Sequence, residues 1–218
     1  MRQALQQIYG LSDDLTALLI QAGTFRTLQR GKYLGFQNEY PEALYLPIDG
    51  IIALQAPFES KDDYFYAVFS AGILVNDMYL LNPQPRLESL KALTDVTVLS
   101  IPISRARELI NTSLAFSRFV LKSISLKLYT VTSINYIHSE KNPEQKILMC
   151  LQHLANLNPD NRVYLNFRHI ASLMVISRNT VAKVVKDLQK KGVLRVEKNC
   201  ISFSAEHEHS LVASSSLH

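Results

Sequence analysis

Histidine is absent from the first 137 residues of this 218-residue chain; His138, His153, His169, His207, His209 and His218 all come later. An imidazole-built metal centre, in a metalloenzyme or a histidine-ligated haem, therefore has no ligands in that stretch. Cysteine is almost as scarce. Cys150 and Cys200 are the only two, half of what an iron–sulfur cluster normally takes. They are expected to be inert, reduced thiols. No run of about 18 apolar residues occurs, so no membrane-spanning helix is expected. The opening MRQALQQIYGLSDDL has neither a long apolar stretch nor a small-residue cleavage site. It reads as no signal peptide, and the expected location is cytoplasmic.

What is present suits a soluble globular protein. Hydrophobic residues make up 47% and charged residues 19%, enough apolar material for a core. The net charge of +4 conceals an asymmetry. Residues 1–140 hold 12 Lys+Arg against 13 Asp+Glu, and residues 141–218 hold 11 against 6. The basic charge sits in the last third, which points to a phosphate-rich partner or to a solvated basic face.

Residues 12–22 read as a short helix, with Ser12 as N-cap, two aspartates in the first turn and Gly23 as the stop. From Thr24 to Pro102 the chain breaks into short apolar or alternating runs parted by turn residues, Gly31, Gly50 and Gly72 among them. That spacing predicts an antiparallel β-sandwich or barrel. A brief helix, SRARELIN, follows. Residues 113–139 then carry the longest helical pattern. Phe116, Val120, Ile124, Val131 and Ile134 recur near a heptad spacing, with Lys127 and Leu128 competing for the missing position. Two readings stay open, a core helix packed on the barrel and a homodimer seam. Glu140-Lys141-Asn142-Pro143 forms a joint, because proline suits a first helical turn and Asn142 can cap it. The expected domains are therefore 1–139 and 140–218.

Residues 143–203 follow the order helix, strand, helix, turn, helix, β-hairpin. The first helix presents Ile147, Leu148, Leu151, Leu154 and Ala155 on one face. A short strand, Val163-Tyr164-Leu165, precedes FRHIASLM, capped by Asn166. Val175-Ile176-Ser177 makes a tight turn into RNTVAKVVKDLQKK, capped by Ser177. There Val181, Val184, Val185 and Leu188 share the inner face. Gly192 suits a left-handed helix end, and the hairpin turns at Lys198-Asn199. Arg178, Asn179, Lys183 and Lys186 are left pointing outward. Arginine pairs bidentately with guanine and asparagine with adenine, so such a helix is shaped for a major groove. Ser177, Arg178, Asn179, Thr180, Lys183, Lys186 and Lys198 are the candidate DNA-binding residues, with Lys190 and Lys191 as further phosphate contacts. An amphipathic helix with a solvated basic face is the plain alternative.

This segment resembles the helix-turn-helix of the cyclic-AMP receptor protein and fumarate–nitrate reductase regulator (CRP/FNR) family. The match rests on Ile170-Ala171, Ser177-Arg178-x-Thr180-Val181, Leu188 and Gly192. ALYLPIDGIIALQ is similar to that family's barrel signature, an aromatic strand leading into a glycine turn. The resemblance implies an α+β protein. Its parts would be an N-terminal double-stranded β-helix (jelly roll), a long dimerisation helix and a C-terminal winged helix-turn-helix. It also implies a homodimer on near-palindromic double-stranded DNA, with RNA polymerase as a further partner and no membrane. No catalytic or metal-binding residue is expected.

Three departures from the family stand out. Val175 occupies a turn position where the family usually has glycine. Asn179 and Lys183 replace a common glutamate and arginine, so a shifted target site is expected. In the sensor, the family's Gly-Glu-Leu and later Arg-Ser or Arg-Thr become Asn76-Asp77-Met78 and Arg86-Leu87. Leu87 cannot donate a hydroxyl bond, and Asp77 is shorter than glutamate. Asp77, Arg86, Thr132 and Ser133 are the candidate ligand-binding residues, although Arg86 also reads as a surface loop arginine. No cofactor is called for, and cyclic AMP is not the expected effector. The barrel could instead dock a protein partner through the aromatic run Tyr64 to Phe69, which core packing explains equally well.

Overall fold

A computed structural model describes residues 1–55, 65–156, 158, 160–197 and 200–204. The chain divides into two compact units, Met1–Val131 and Thr132–His218. The division falls inside a long helix, so that one helix runs from the first unit into the second.

The first unit opens on two short helices. The N-terminal segment, in which sequence reading found no element, forms α1 (Arg2–Tyr9), ended by Gly10 at φ 62°. Leu5 and Tyr9, four apart, bury one face of it. Helix α2 (Asp13–Ala22) starts as expected, with Ser12 Oγ accepting the Leu15 amide at 3.3 Å. Seven strands follow: β1 (Thr24–Leu28), β2 (Tyr33–Gly35), β3 (Ala43–Asp49), β4 (Ile52–Gln55), β5 (Phe65–Phe69), β6 (Ser89–Ala92) and β7 (Val96–Pro102). They make two antiparallel sheets, ordered β1-β7-β3 and β2-β6-β4-β5. In β3, Ala43 to Pro47 are buried without alternation, because this sheet is covered on both faces. The helices cover one of them. Leu5, Tyr9, Leu15 and Leu19 join Leu44, Leu46, Leu99 and Ile101 of the sheet in one cluster. To these are added Ala106 and Leu109 of α3 (Ile103–Thr112) and Phe116, Phe119 and Val120 of α4 (Leu114–Ser139).

Helix α4 contains neither glycine nor proline over its 26 residues, which explains its unbroken run. Its burial corrects the heptad reading. Phe116, Val120 and Ile134 are buried inside the single chain at 0%, 2% and 3% exposure, and Ile124 packs against the first unit's core. Val131 is half-buried. Phe116, Val120 and Ile134 cannot join an intermolecular seam without leaving their own core, whereas Ile124 and Val131 keep part of their surface exposed. The exposed apolar row is a different one, Leu114, Leu121 and Leu128, each seven residues from the next. Arg118, Ser125 and Thr132, also exposed, fall between them at heptad offsets.

The second unit comprises the end of α4, α5 (Pro143–Asn156), β8 (Arg162–Val163), α6 (Phe167–Met174), α7 (Arg178–Lys190), β9 (Leu194–Val196) and β10 (Ile201–Phe203). Asn142 Oδ1 accepts the Glu144 and Gln145 amides at 2.9 and 3.3 Å, capping α5. The three strands form an antiparallel sheet ordered β8-β10-β9. Cys150 lies wholly inside this unit, and burial pushes its thiol pKa up to about 12. A thiol held protonated is an inert one. No helix among the described residues is long and apolar enough to cross a membrane.

Candidate functional site

Helices α6 and α7 are joined by Val175-Ile176-Ser177 alone. Asn166 caps α6, its Oδ1 accepting the His169 amide at 3.0 Å. Ser177 caps α7 in the same way, accepting from Thr180 at 3.0 Å. Val175 holds the left-handed conformation at φ 56° and ψ 45°, so the glycine-like turn is kept despite valine's branched side chain. The Ile176 amide then reaches back to the Ala171 carbonyl at 3.1 Å, closing the helix end.

The faces of α7 divide cleanly. Val181, Val184, Val185 and Leu188 are buried. Arg178, Asn179, Lys183 and Lys186 are exposed, and no acidic group among the described residues pairs with the three cations. The two lysines at the helix end differ. Lys190 lies 3.9 Å from Asp187, and Lys191 bonds Glu144 at 2.5 Å. Their charge is partly answered within the unit, so they are weaker phosphate candidates than Lys183 and Lys186. Lys198 and the Lys198-Asn199 turn lie outside the described residues. Gly192 takes φ 75° just beyond α7, and Val193 donates to the Leu188 carbonyl at 3.0 Å.

The first unit holds a second polar cluster. Asn76 is left-handed at φ 72° and anchors its side chain through Nδ2 to the Ala43 carbonyl at 2.7 Å. It opens a 3-10 turn, Asp77–Tyr79. Asp77 is 1% exposed. One carboxylate oxygen accepts the Met78 amide and pairs with the ammonium of Lys127 on α4. The other, Oδ2, is buried with no hydrogen-bond partner. The Lys127 ammonium also sits 5.3 Å from the centre of the Phe69 ring. One turn earlier on α4, Ser123 Oγ accepts the Leu74 amide at 3.0 Å.

Arg86 is no surface arginine. It is 2% exposed, its guanidinium lying against Gly35 so closely that a Cβ there would stand 2.4 Å from the Arg86 Cζ. Nη1 approaches the Phe36 carbonyl at 3.4 Å and Glu39 at 3.6 Å, and Nε has no partner. Leu87 turns outward at 67% exposure. Beside it the Tyr79 hydroxyl meets the buried Glu88 carboxylate at 3.5 Å. Burial first, and the Glu88 charge second, raise the Tyr79 pKa above the ordinary phenol value.

Asp77 and Arg86, both read from sequence as ligand residues, are thus brought into the same unit as buried groups with unmet polar atoms. Thr132 is exposed and Ser133 half-buried, both beyond the point where the units divide. The α4 residue that meets Asp77 is Lys127, which sequence reading weighed only as a seam position. Nothing in the local spacing marks it as Asp77's partner, and the heptad pattern drew it into the seam.

Known proteins resemble the chain in its first unit alone or over most of its length. The cyclic nucleotide-binding domain family matches residues 25–113. An anaerobic regulatory protein of Bacillus subtilis is 25% identical over 197 residues, spanning 87% of this chain and 83% of its own. Among solved structures, FixK2 from Bradyrhizobium japonicum superposes with a TM-score of 0.75 at 14% identity, covering 87% of this chain and 96% of its own. The c-di-GMP responsive global regulator CLP of Xanthomonas campestris gives 0.69 at 19% identity, covering 88% and 98%. A CRP/FNR family regulator from Thermus thermophilus gives 0.67 at 16% identity, covering 87% and 98%.

Proposed function

We propose that this chain, whose residues 25–113 match the cyclic nucleotide-binding domain family and which is 25% identical to an anaerobic regulatory protein of Bacillus subtilis, is a transcription regulator of the CRP/FNR type, a homodimeric, sequence-specific DNA-binding protein that reads its site with α7. The observation carrying this reading is the outward row Arg178, Asn179, Lys183 and Lys186 on a helix capped by Ser177. Three exposed cations without acidic partners among the described residues are well placed for phosphates and base edges. In this reading α6, the turn and α7 form a helix-turn-helix, and the β9-β10 hairpin with β8 is its wing. The two sheets of the first unit form a jelly-roll sensor. Domains meet near residue 139, and RNA polymerase is the downstream partner. The protein works in the cytoplasm and has no enzymatic activity.

The dimer forms along Leu114, Leu121 and Leu128. Leucine every seventh residue on one exposed face suits a left-handed pairing of two α4 helices. Two copies then present two α7 helices to half-sites about 10 base pairs apart, centre to centre. Leu121→Asp with Leu128→Asp should give monomers by sedimentation, and an undiminished dimer mass would reject this seam.

The DNA assignment is tested on duplexes selected from a randomised pool with the wild-type protein. Arg178→Ala should cost about 1–3 kcal/mol on the selected site and relax preference at one position per half-site. Lys186→Ala should weaken all sequences alike and flatten the salt slope by about one phosphate. Equal losses for Arg178→Ala on selected and random DNA would reject base reading. In the sensor, Asp77 and Arg86 stand where the CRP/FNR resemblance puts ligand contacts, and both are buried. Cyclic AMP at ordinary micromolar levels is not the effector, since Leu87 supplies no hydroxyl.

A further inference from the structure

We propose that Lys127 is a resident cation occupying the sensor in place of an effector. It holds α4 on the barrel without any small molecule, so the protein is competent for DNA constitutively. This rests on the DNA-binding reading above and concerns how that reading is regulated.

Three observations converge on it. The Asp77 side chain is wholly buried and Lys127 is 13% exposed, so this pair is not a solvated surface contact. The ammonium is held from two sides, by a carboxylate and by the face of the Phe69 ring. Aromatic face and anion together form the kind of cage that selects a cation. The helix is also fixed one turn earlier, where Ser123 accepts the otherwise unpaired Leu74 amide. Ser123 and Lys127, four residues apart, therefore fasten one face of α4 at two points to the stretch Leu74–Asp77. Both contacts lie within the first unit, yet the helix they fix continues into the second.

The chemistry excludes a neutral bystander role. A carboxylate removed from water needs a compensating charge, and Lys127 is the cation paired with Asp77. An effector that used the Asp77 Oδ1 acceptor would have to displace that ammonium and leave it buried without an anion, so only the buried Oδ2 stays open to a donor. Asp77 is thus biased by the chain's own lysine against a ligand that would take Oδ1, and α4 is fastened there without one.

The test uses the full chain. Protein unfolded in guanidinium, dialysed free of small molecules and refolded should bind the selected duplex within about twofold of the untreated protein. If binding is lost and a heat-treated cell extract restores it, a diffusible effector is required and the proposal fails. Lys127→Met should raise hydrogen exchange of α4 amides 119–131, and weaken DNA binding, by at least about tenfold. Asp77→Asn should do the same. The double variant should be no worse than the poorer single, because each removes the same contact. Should Lys127→Met fail to fold with Asp77 stranded, the double variant carries no orphaned charge and gives both readouts. Wild-type exchange and wild-type affinity in a folded Lys127→Met or double variant would overturn the proposal. Wild-type protein that selects no duplex at all would refute DNA binding instead, and helix exchange would still decide whether Lys127 fastens α4.

Discussion

The two units place their polar chemistry in opposite ways. In the second unit the candidate groups stand on the outer face of one helix, Arg178, Asn179, Lys183 and Lys186, while apolar residues of the same helix hold it in place. In the first unit they are buried. Asp77, Arg86 and Glu88 are all under 5% exposed, and they arrive from a turn, a loop and a strand approach. An outward row is open to whatever binds it. A buried set must satisfy itself or be satisfied by a ligand, and here Lys127 has taken that part for Asp77. An exposed row of cations and a buried, internally paired carboxylate thus stand in one chain.

The widest predicted gap between the units is in how they tolerate a methyl group at a left-handed glycine. Gly50 in the first unit has φ 87°, and a Cβ there would stand 2.2 Å from the Asp95 carbonyl oxygen. Gly192 in the second has φ 75° with nothing within 4 Å. Both substitutions meet the left-handed penalty of about 1–2 kcal/mol, but only Gly50→Ala adds a backbone collision. Gly50→Ala should cost about 3 kcal/mol or more. Gly192→Ala should cost only the conformational part, about 1 kcal/mol. Urea titrations of the two variants measure this directly. Equal midpoints would show that the first unit is not the tightly packed one.

The same contrast explains what could be read in advance. Helix α7 was legible because one element supplies both its buried and exposed faces at 3.6-residue spacing, and its cap, Ser177, is adjacent in the chain. The barrel was legible as strands and glycine turns. The buried polar groups were not, because their contacts join residues 35–39, 76–79, 86–88 and 123–127, and no local spacing says that Lys127 meets Asp77. The α4 seam was misread for a related reason. Two apolar rows run along that helix, and periodicity alone does not say which one faces the chain's own core. Phe116, Phe119 and Val120 turned inward into the cluster with Tyr9 and the sheet, Phe119 edge-on against the Tyr9 ring at 5.5 Å. The leucine row was left outside. Helix α1 was missed because its first-turn and last-turn signals are weak and its only stop is Gly10.

Acid should act unevenly on the two units through histidine. The first unit has none, since every histidine lies at or after residue 138. In the second, burial lowers the pKa of His153, whose Nε2 is buried without a partner. Burial and then the nearby Lys146 charge also lower that of His138. A histidine held neutral in the fold takes up its proton only on unfolding, so its contribution is unchanged above about pH 6.5 and destabilising as pH falls below it. Native hydrogen exchange of α5 to α7 should therefore quicken between pH 7 and pH 5.5 relative to the barrel strands, after correction for intrinsic rates. In His153→Leu the pH slope of unfolding should fall by at most about one proton. A slope identical to wild type would show that His153 is not held neutral in the fold.

The smallest effect concerns Val175 and separates turn geometry from turn chemistry. This residue is 62% exposed and left-handed at φ 56°, so its side chain contributes little packing while its branched Cβ opposes the backbone it must adopt. Glycine removes that opposition but adds freedom to the unfolded chain. The two terms differ by a small margin, and Val175→Gly should stabilise the second unit by about 0.5–1 kcal/mol. The Ala171 carbonyl would keep its contact with the Ile176 amide, so the angle between α6 and α7 should not change. DNA affinity would then stay within about twofold of wild type. A gain in stability with unchanged affinity means that the valine is merely tolerated in a turn whose shape is set by the helices on either side. A marked change in affinity or site preference would mean instead that the branched residue tilts α7, and that the exposed row is aimed by the turn as much as by its own spacing.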